Sequence, residues 1–180
     1  MMKLFDEIPT LENERLCIQR LCDADSEDLR AFSHDGSVYR YLPTFLFEQQ
    51  YEDPHLVLQK LYAECFQAKE SLILGIFLKD TRDFCGLAEF YGFKDALHKT
   101  CIGYRLAEEH WGRDIATETV GLMVNYLYTQ TDIEIITAST MIENKASAKV
   151  LINNDFALVN TGVDEDWGYD QPTPADKWIR

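Results

Sequence analysis

Residues 100–118 restrict the fold more than any other stretch of this chain. Ile102-Gly103-Tyr104-Arg105-Leu106 has the composition of a strand. After a short break, Trp111-Gly112-Arg113-Asp114 has turn character, and Ala116, Val120, Met123, Val124 and Leu127 then recur at helical spacing. A strand that passes through a tight turn into a helix leaves the first-turn N–H groups without intrahelical acceptors, at the positive end of the helix dipole. Such an end holds a pyrophosphate with main-chain atoms alone.

The remaining periodicity supplies the other elements. Arg15 to Leu21 reads as a first strand, and Asp23 to Leu29 starts a helix with acidic residues near its N-terminus. A second helical region, punctuated by Pro43 and Pro54, runs to about Ala68, with Leu56, Leu58, Leu61, Tyr62, Cys65 and Phe66 as its apolar face. The strands Leu72–Leu78 and Phe84–Tyr91 flank a turn at Asp80–Asp83, and Thr100–Leu106 follows. After the helix come a strand at Glu134–Thr140, a short helix at Asn144–Asn153, and strands at Phe156–Val159 and Lys177–Arg180. The fold class expected from this order is α/β (α+β): a mixed, mostly antiparallel sheet flanked by helices.

Composition narrows the function. A chain of 180 residues with 46% hydrophobic content is expected to form one domain, residues 1–180, with a substantial core. A formal charge of −14 repels phosphodiester backbones and anionic membranes, so neither nucleic acid nor membrane is an expected partner. The same charge suits an ammonium-bearing substrate, although solubility alone also explains it. The five cysteines, Cys17, Cys22, Cys65, Cys85 and Cys101, form no Cys-x-x-Cys pair, and neither a disulfide framework nor a metal site is expected. No run of the sequence is long and apolar enough to span a bilayer, and the N-terminus lacks a basic region followed by an apolar stretch. The expected location is cytoplasmic, and the expected assembly is a monomer or homodimer.

Two segments carry a family resemblance. Trp111-Gly112-Arg113-Asp114-Ile115-Ala116-Thr117-Glu118 resembles the Trp-Gly-Lys/Arg-Gly-Tyr/Ile-Ala-Thr-Glu turn of the RimJ/RimL-like branch of the GNAT N-acetyltransferases. Asn144-Lys145-Ala146-Ser147-Ala148-Lys149-Val150-Leu151, closed by Asn154-Asp155-Phe156, resembles the later Asn-x-x-Ser-x-x-Val-Leu-x-x-x-Gly-Phe of the same branch. Asp114 and Asp155 each stand where that branch has glycine. Aspartate is among the better non-glycine residues at positive φ, so the first turn is expected to keep its shape, and past the second helix either Asn154 or Asp155 can take the left-handed conformation.

The resemblance implies an acyltransferase that moves acetyl from acetyl-CoA, as co-substrate, to a primary amine by direct attack in a ternary complex. The acceptor it implies is a protein N-terminus; a small amine is the alternative acceptor, and a non-catalytic acyl-CoA-binding domain the alternative function. Main-chain groups of Gly112, Arg113, Asp114, Ile115, Ala116 and Thr117, beside Trp111, are expected to hold the pyrophosphate, with Arg113 adding charge. A main-chain N–H of Arg105, Leu106 or Ala107 would polarise the thioester carbonyl. Asn144 would contact the pantetheine arm or orient the site, its other reading being a helix N-cap. Ser147 would protonate the leaving thiolate, or a tyrosine from elsewhere would, since Leu151 stands where many relatives have a tyrosine acid. Glu89 and Asp166 are the candidate bases. Their plainer readings are a solvent-facing strand carboxylate and part of an acidic loop.

Overall fold

The structure, a computed structural model, describes residues 2–180. It contains strands β1 (Leu11–Glu12), β2 (Leu16–Gln19), β3 (Ser71–Leu78), β4 (Phe84–Lys94), β5 (Lys99–Leu106), β6 (Ile135–Met141), β7 (Ala157–Glu165) and β8 (Thr173–Ile179). The α-helices are α1 (Ser26–Ser33), α2 (Pro54–Lys60), α3 (Ile115–Gln130) and α4 (Lys145–Asn153). The strands form one sheet in the order β1-β2-β3-β4-β5-β6-β8-β7. Every neighbouring pair is antiparallel except β5 with β6. The mixed, mostly antiparallel sheet flanked by helices matches the sequence expectation.

Alternation along the central strands sorts the two faces. Leu72, Leu74 and Ile76 of β3, Ala88 and Phe90 of β4, and Ile102 and Leu106 of β5 join Val120, Met123, Val124 and Leu127 of α3 in one core cluster. Leu151 of α4 packs into the same cluster. Ile73 and Phe77 of β3 and Leu87 of β4 point the other way, into a second cluster with Leu29 and Phe32 of α1 and Val57 and Leu58 of α2. Both sides of the sheet are therefore covered, which explains why β3 is a nearly unbroken apolar run.

Two boundaries differ from the sequence expectation. Residues 35–53 are turns and one short 3₁₀ segment, Phe47–Gln49, and helix α2 begins only at Pro54. Asp35 accepts hydrogen bonds from the Ser37 N–H and hydroxyl, which diverts the backbone into a local turn. Asp53 instead caps α2 by accepting from the His55 N–H at 2.9 Å, with Pro54 at the first helical position. A π-helical turn, Leu61–Cys65, extends α2. The last two strands also run longer than expected. β7 is an edge strand with most of its residues exposed, so it lacks the apolar alternation that marks the inner strands.

Gly86 of β4 lies opposite Leu106 at the end of β5. Its φ is +151°, and a Cβ there would come within 2.8 Å of the Leu106 Cα and collide with the Arg105 carbonyl. The glycine therefore lets β4 approach the strand end where the site is built. Gly86→Ala is expected to cost roughly 2 kcal/mol or more of folding free energy, from backbone strain plus displacement of β5. Urea unfolding at neutral pH measures this, and an unchanged midpoint would show that the close approach is dispensable.

Candidate active site

Parallel strands β5 and β6 pair over only three positions, Lys99 with Ile135, Thr100 with Ile136 and Cys101 with Thr137. Beyond that point β5 stays with β4 while β6 stays with β8, and a gap opens between β5 and β6. The Cys101 thiol and Thr137 hydroxyl lie 2.9 Å apart at the fork.

Strand register decides which main-chain groups face the gap. The Ala107 N–H donates to the Cys85 carbonyl at 2.9 Å. Hydrogen-bonded pairs alternate in an antiparallel ladder, so Arg105 opposite Leu87 and Gly103 opposite Glu89 also spend their N–H groups on β4. The N–H groups of Leu106 and Tyr104 point away from β4, into the gap. Of the three main-chain donors expected from sequence, only Leu106 is so directed. The indole N–H of Trp111 donates to the Leu106 carbonyl at 2.8 Å and fixes the orientation of that peptide.

The turn after β5 presents a row of unpaired main-chain donors. Gly112 has φ 69° and Asp114 φ 60°, so the aspartate adopts the left-handed conformation expected in the glycine's place. The Glu118 N–H makes the first helical bond, to the Asp114 carbonyl at 3.0 Å. Among the described residues, the six N–H groups from Gly112 to Thr117 have no acceptor. The space beside Gly112 is open. Ile115 is buried and anchors the helix start, while Ala116 is small and partly covered.

This turn is held by residues that motif reading missed. Arg15 donates through Nη2 to the Arg113 carbonyl at 2.8 Å and through Nη1 to Glu118 at 2.6 Å. Asn13 donates to the other Glu118 oxygen at 3.0 Å. These contacts span about a hundred residues of sequence, and only the Glu118 end lies in the turn motif. The Arg113 guanidinium lies 3.2 Å from Nδ1 of His110 and lines a polar cavity of about 450 Å³ with Arg82, Asp83 and Glu109. The Asp114 side chain is exposed and makes no capping bond.

On the other side of the gap, Asn144 caps α4 by accepting from the Ser147 N–H at 3.1 Å, so its N-cap reading holds. The Ser147 hydroxyl lies 3.0 Å from the hydroxyl of Tyr104 on β5. Burial pushes the Tyr104 phenol up to about 12, against a smaller opposite effect of the Ser147 hydrogen bond. It therefore keeps its proton at neutral pH. Sequence reading left a place for such a tyrosine but did not locate it; its alternation with Ile102 and Leu106 was the available signal.

Glu89 and Arg105 occupy the opposite face of the sheet. The solvent-facing reading of Glu89 is replaced by a half-buried carboxylate that accepts from Arg105 Nη1 at 3.0 Å and from the Ser71 hydroxyl at 2.6 Å. The Arg105 side chain is almost fully buried and committed to Glu48 and Glu89, away from the gap. Burial alone would lower its pKa, but the two carboxylates outweigh that effect and raise it. Tyr91, on the same face, is pushed above its usual range, mainly by burial and further by Cys101, Glu89 and Glu165.

Asp166 lies in the exposed β7–β8 turn, where it accepts from the Gly168 N–H at 2.9 Å. Its neighbour Glu165 turns inward, pairing with Lys177 and accepting from the Trp167 indole. Across this face two loops meet. The Thr44 N–H donates to the Trp167 carbonyl and the Tyr169 hydroxyl to the Leu42 carbonyl, both at 2.8 Å. Trp178 is a core residue bonded to Thr140.

Comparison with known proteins identifies the family and the fold. The family model described as acetyltransferase (GNAT) domain matches residues 15–157. The Bacillus subtilis (strain 168) protein called uncharacterized N-acetyltransferase YoaA is 27% identical over 168 residues, 93% of each chain. Mycobacterium smegmatis RimJ, solved in complex with CoA-disulfide, superposes with a TM-score of 0.81 at 17% identity, covering 100% of this chain and 90% of its own. Spermidine N-acetyltransferase from Vibrio cholerae, solved with CoA and spermine, gives 0.76 at 17% identity, over 93% and 96%.

Asp114 is expected to weaken CoA binding without abolishing it. Two unit charges ~6 Å apart at an effective dielectric of ~20 repel by about 3 kcal/mol. Solvent screening at this exposed position reduces that strongly. Asp114→Asn and Asp114→Gly should each tighten CoA binding roughly three- to tenfold at low salt, with the gain shrinking as salt rises. Calorimetry at two ionic strengths tests this; no change at low salt would mean that the carboxylate faces away from the phosphates.

Proposed function

We propose that this chain, which belongs to the GNAT acetyltransferase family and transfers acetyl from acetyl-CoA to an amine nitrogen, acts on a protein N-terminal α-amine by direct attack within a ternary complex. Residues 1–180 make up one such domain in this reading. The observation that carries it is the convergence of three features on one gap: the Leu106 N–H, the row of free N–H groups from Gly112 to Thr117, and the Ser147–Tyr104 hydroxyl pair. A degraded site that only binds acyl-CoA would not need the third.

The roles follow from position. Main-chain donors of residues 112–117 hold the pyrophosphate at the start of α3. The Leu106 N–H, fixed by Trp111, polarises the thioester carbonyl. Ser147 donates a hydrogen bond to the leaving sulfur. Tyr104, at about 12, is a much weaker acid than a thiol near ~8.5, so it orients the Ser147 hydroxyl and does not give up its own proton. Glu89 receives the acceptor from the opposite face and takes the proton that the attacking nitrogen sheds, while Asp166 lies on the exposed β7–β8 turn, accepting from the Gly168 N–H.

The acceptor class rests on acidity. An α-amine with a pKa of about 7.7–8.0 is roughly one-tenth neutral at pH 7, whereas a lysine near ~10.4 is neutral about once in a few thousand. The Glu89 carboxylate is already hydrogen-bonded twice, so an acceptor that needs only a weak base suits this site. A small polyamine is the second reading, favoured by the charge of −14.

Thiol release with a panel of peptide α-amines, acetylated-N-terminus lysine peptides and spermidine tests the acceptor; fastest release with spermidine would overturn the N-terminal assignment. Ser147→Ala is expected to lower kcat by roughly 10–100-fold while leaving the acetyl-CoA Kd within about twofold. Tyr104→Phe should lower kcat less. Full turnover of Ser147→Ala, under conditions where chemistry limits the rate, would remove Ser147 from the reaction.

A further inference from the structure

Arg105 is shared unequally between two carboxylates. Its Nε and Nη2 grip Glu48 as a bidentate pair at 2.5 and 2.8 Å, while Nη1 gives Glu89 a single bond at 3.0 Å. Glu48 is 1% exposed and also accepts from the Tyr39 hydroxyl at 3.0 Å. Bidentate pairing satisfies Glu48 and leaves its charge sealed and balanced. Two carboxylates and one guanidinium carry a net charge of −1, and the geometry places the surplus on Glu89. That residue lies at the open edge of the triad, with its side chain 15% exposed.

The surroundings keep that charge available. Gly103 lies directly opposite Glu89 on β5 and adds no side chain of its own there, and the edge of the Tyr91 ring stands over the glycine, 3.4 Å from where a Cβ would be. The groups facing it are the Ser71 hydroxyl from β3, Tyr91 from β4 and Arg105 from β5. Farther along the same face Glu165 and Lys177 pair with each other, which leaves the sum unchanged. A buried surplus charge is costly until a cation approaches it.

We propose that Glu48 is a positioning residue: by holding Arg105 in the bidentate pair, it leaves Glu89 negatively charged for the ammonium form of the acceptor. Glu48 itself never touches the acceptor. Without its charge, the guanidinium turns its fork onto Glu89, and the triad becomes neutral. The inference rests on the proposed acceptor face and assigns to a residue of the 35–53 segment the selection of a cationic over an uncharged acceptor.

The test uses the amine of the panel that gives the fastest thiol release, together with its analogue bearing a hydroxyl in place of the amine. Their dissociation constants are measured by calorimetry at pH 6.5 on the CoA complex. Glu48→Gln is expected to weaken the ammonium ligand about tenfold, leave the hydroxyl analogue within about twofold, and leave CoA affinity unchanged. Glu89→Gln should do the same, and the double variant, which takes the triad from 0 to +1, should weaken the ammonium ligand further while still sparing the hydroxyl analogue. The variant Glu48→Gln/Arg105→Gln restores a net charge of −1 and leaves no unpaired buried guanidinium. Its ammonium affinity should return to within about threefold of wild type, and it decides the matter if Glu48→Gln does not fold.

Equal weakening of both ligands in Glu48→Gln, no weakening of either, or a failure of the charge-restoring variant to recover would overturn the proposal while leaving acetyl transfer intact. Absence of thiol release with every amine would overturn the acetyl-transfer reading and this inference together.

Discussion

The site depends on a short pairing. Strands β5 and β6 are parallel neighbours for three residues and then part. A parallel pair extended along the full length of β5 would spend the Tyr104 and Leu106 N–H groups on β6 and fill the gap with backbone. Because the pairing stops at Cys101 and Thr137, those donors stay free. The turn after β5 then delivers the N-terminus of α3 to the same opening, and α4, which follows β6, brings Ser147 to Tyr104. In the proposed reading the donors are largely main chain, so an aspartate that adopts the left-handed conformation at position 114 leaves them in place.

Two long-range ion pairs hold this arrangement from opposite sides. Arg15 and Asn13, near the start of the chain, tie the Arg113 carbonyl and Glu118 and so leave the N–H groups of the turn directed outward. Arg105 ties the irregular 35–53 segment to β5 through Glu48. Buried ion pairs seldom add much net stability, because desolvation offsets the attraction, but they fix geometry. The Arg15 pair, which is partly exposed, shapes the turn, and the buried Arg105 pair fixes segment 35–53 against β5. Among the described residues, no helix is long and apolar enough to cross a membrane.

Much of this was legible in the sequence, for identifiable reasons. The β5–α3 unit could be read because a strand, a turn and a helix each have their own periodicity, and α4 because Asn144 and the apolar spacing after it signal a capped helix. The positive φ at Asp114 also followed from residue chemistry, which left Asn154 and Asp155 both open at the later turn, where Asp155 adopts it. Other features were hidden. Segment 35–53 is apolar and aromatic enough to resemble a helix, but its fold is set by Asp35 turns and by a salt bridge to a strand more than fifty residues away. β7 carries no apolar alternation because nothing covers it. Which of Arg105, Leu106 and Ala107 offers its N–H depends on register, and register is a property of two strands together. The partners of Glu89 and the pairing of Tyr104 with Ser147 are likewise tertiary facts that local spacing cannot encode.

The central claim is that main-chain amides at the β5 end and the α3 start hold the acyl donor. Amide proton and nitrogen shifts of the isotopically labelled protein, followed during titration with acetyl-CoA, test it most directly. The account predicts the largest changes at Gly112 to Thr117 and at Leu106, with much smaller changes at Arg105 and Ala107, whose N–H groups are already committed to β4. Saturating shifts confined to other regions, or equal shifts across residues 105–107, would contradict it.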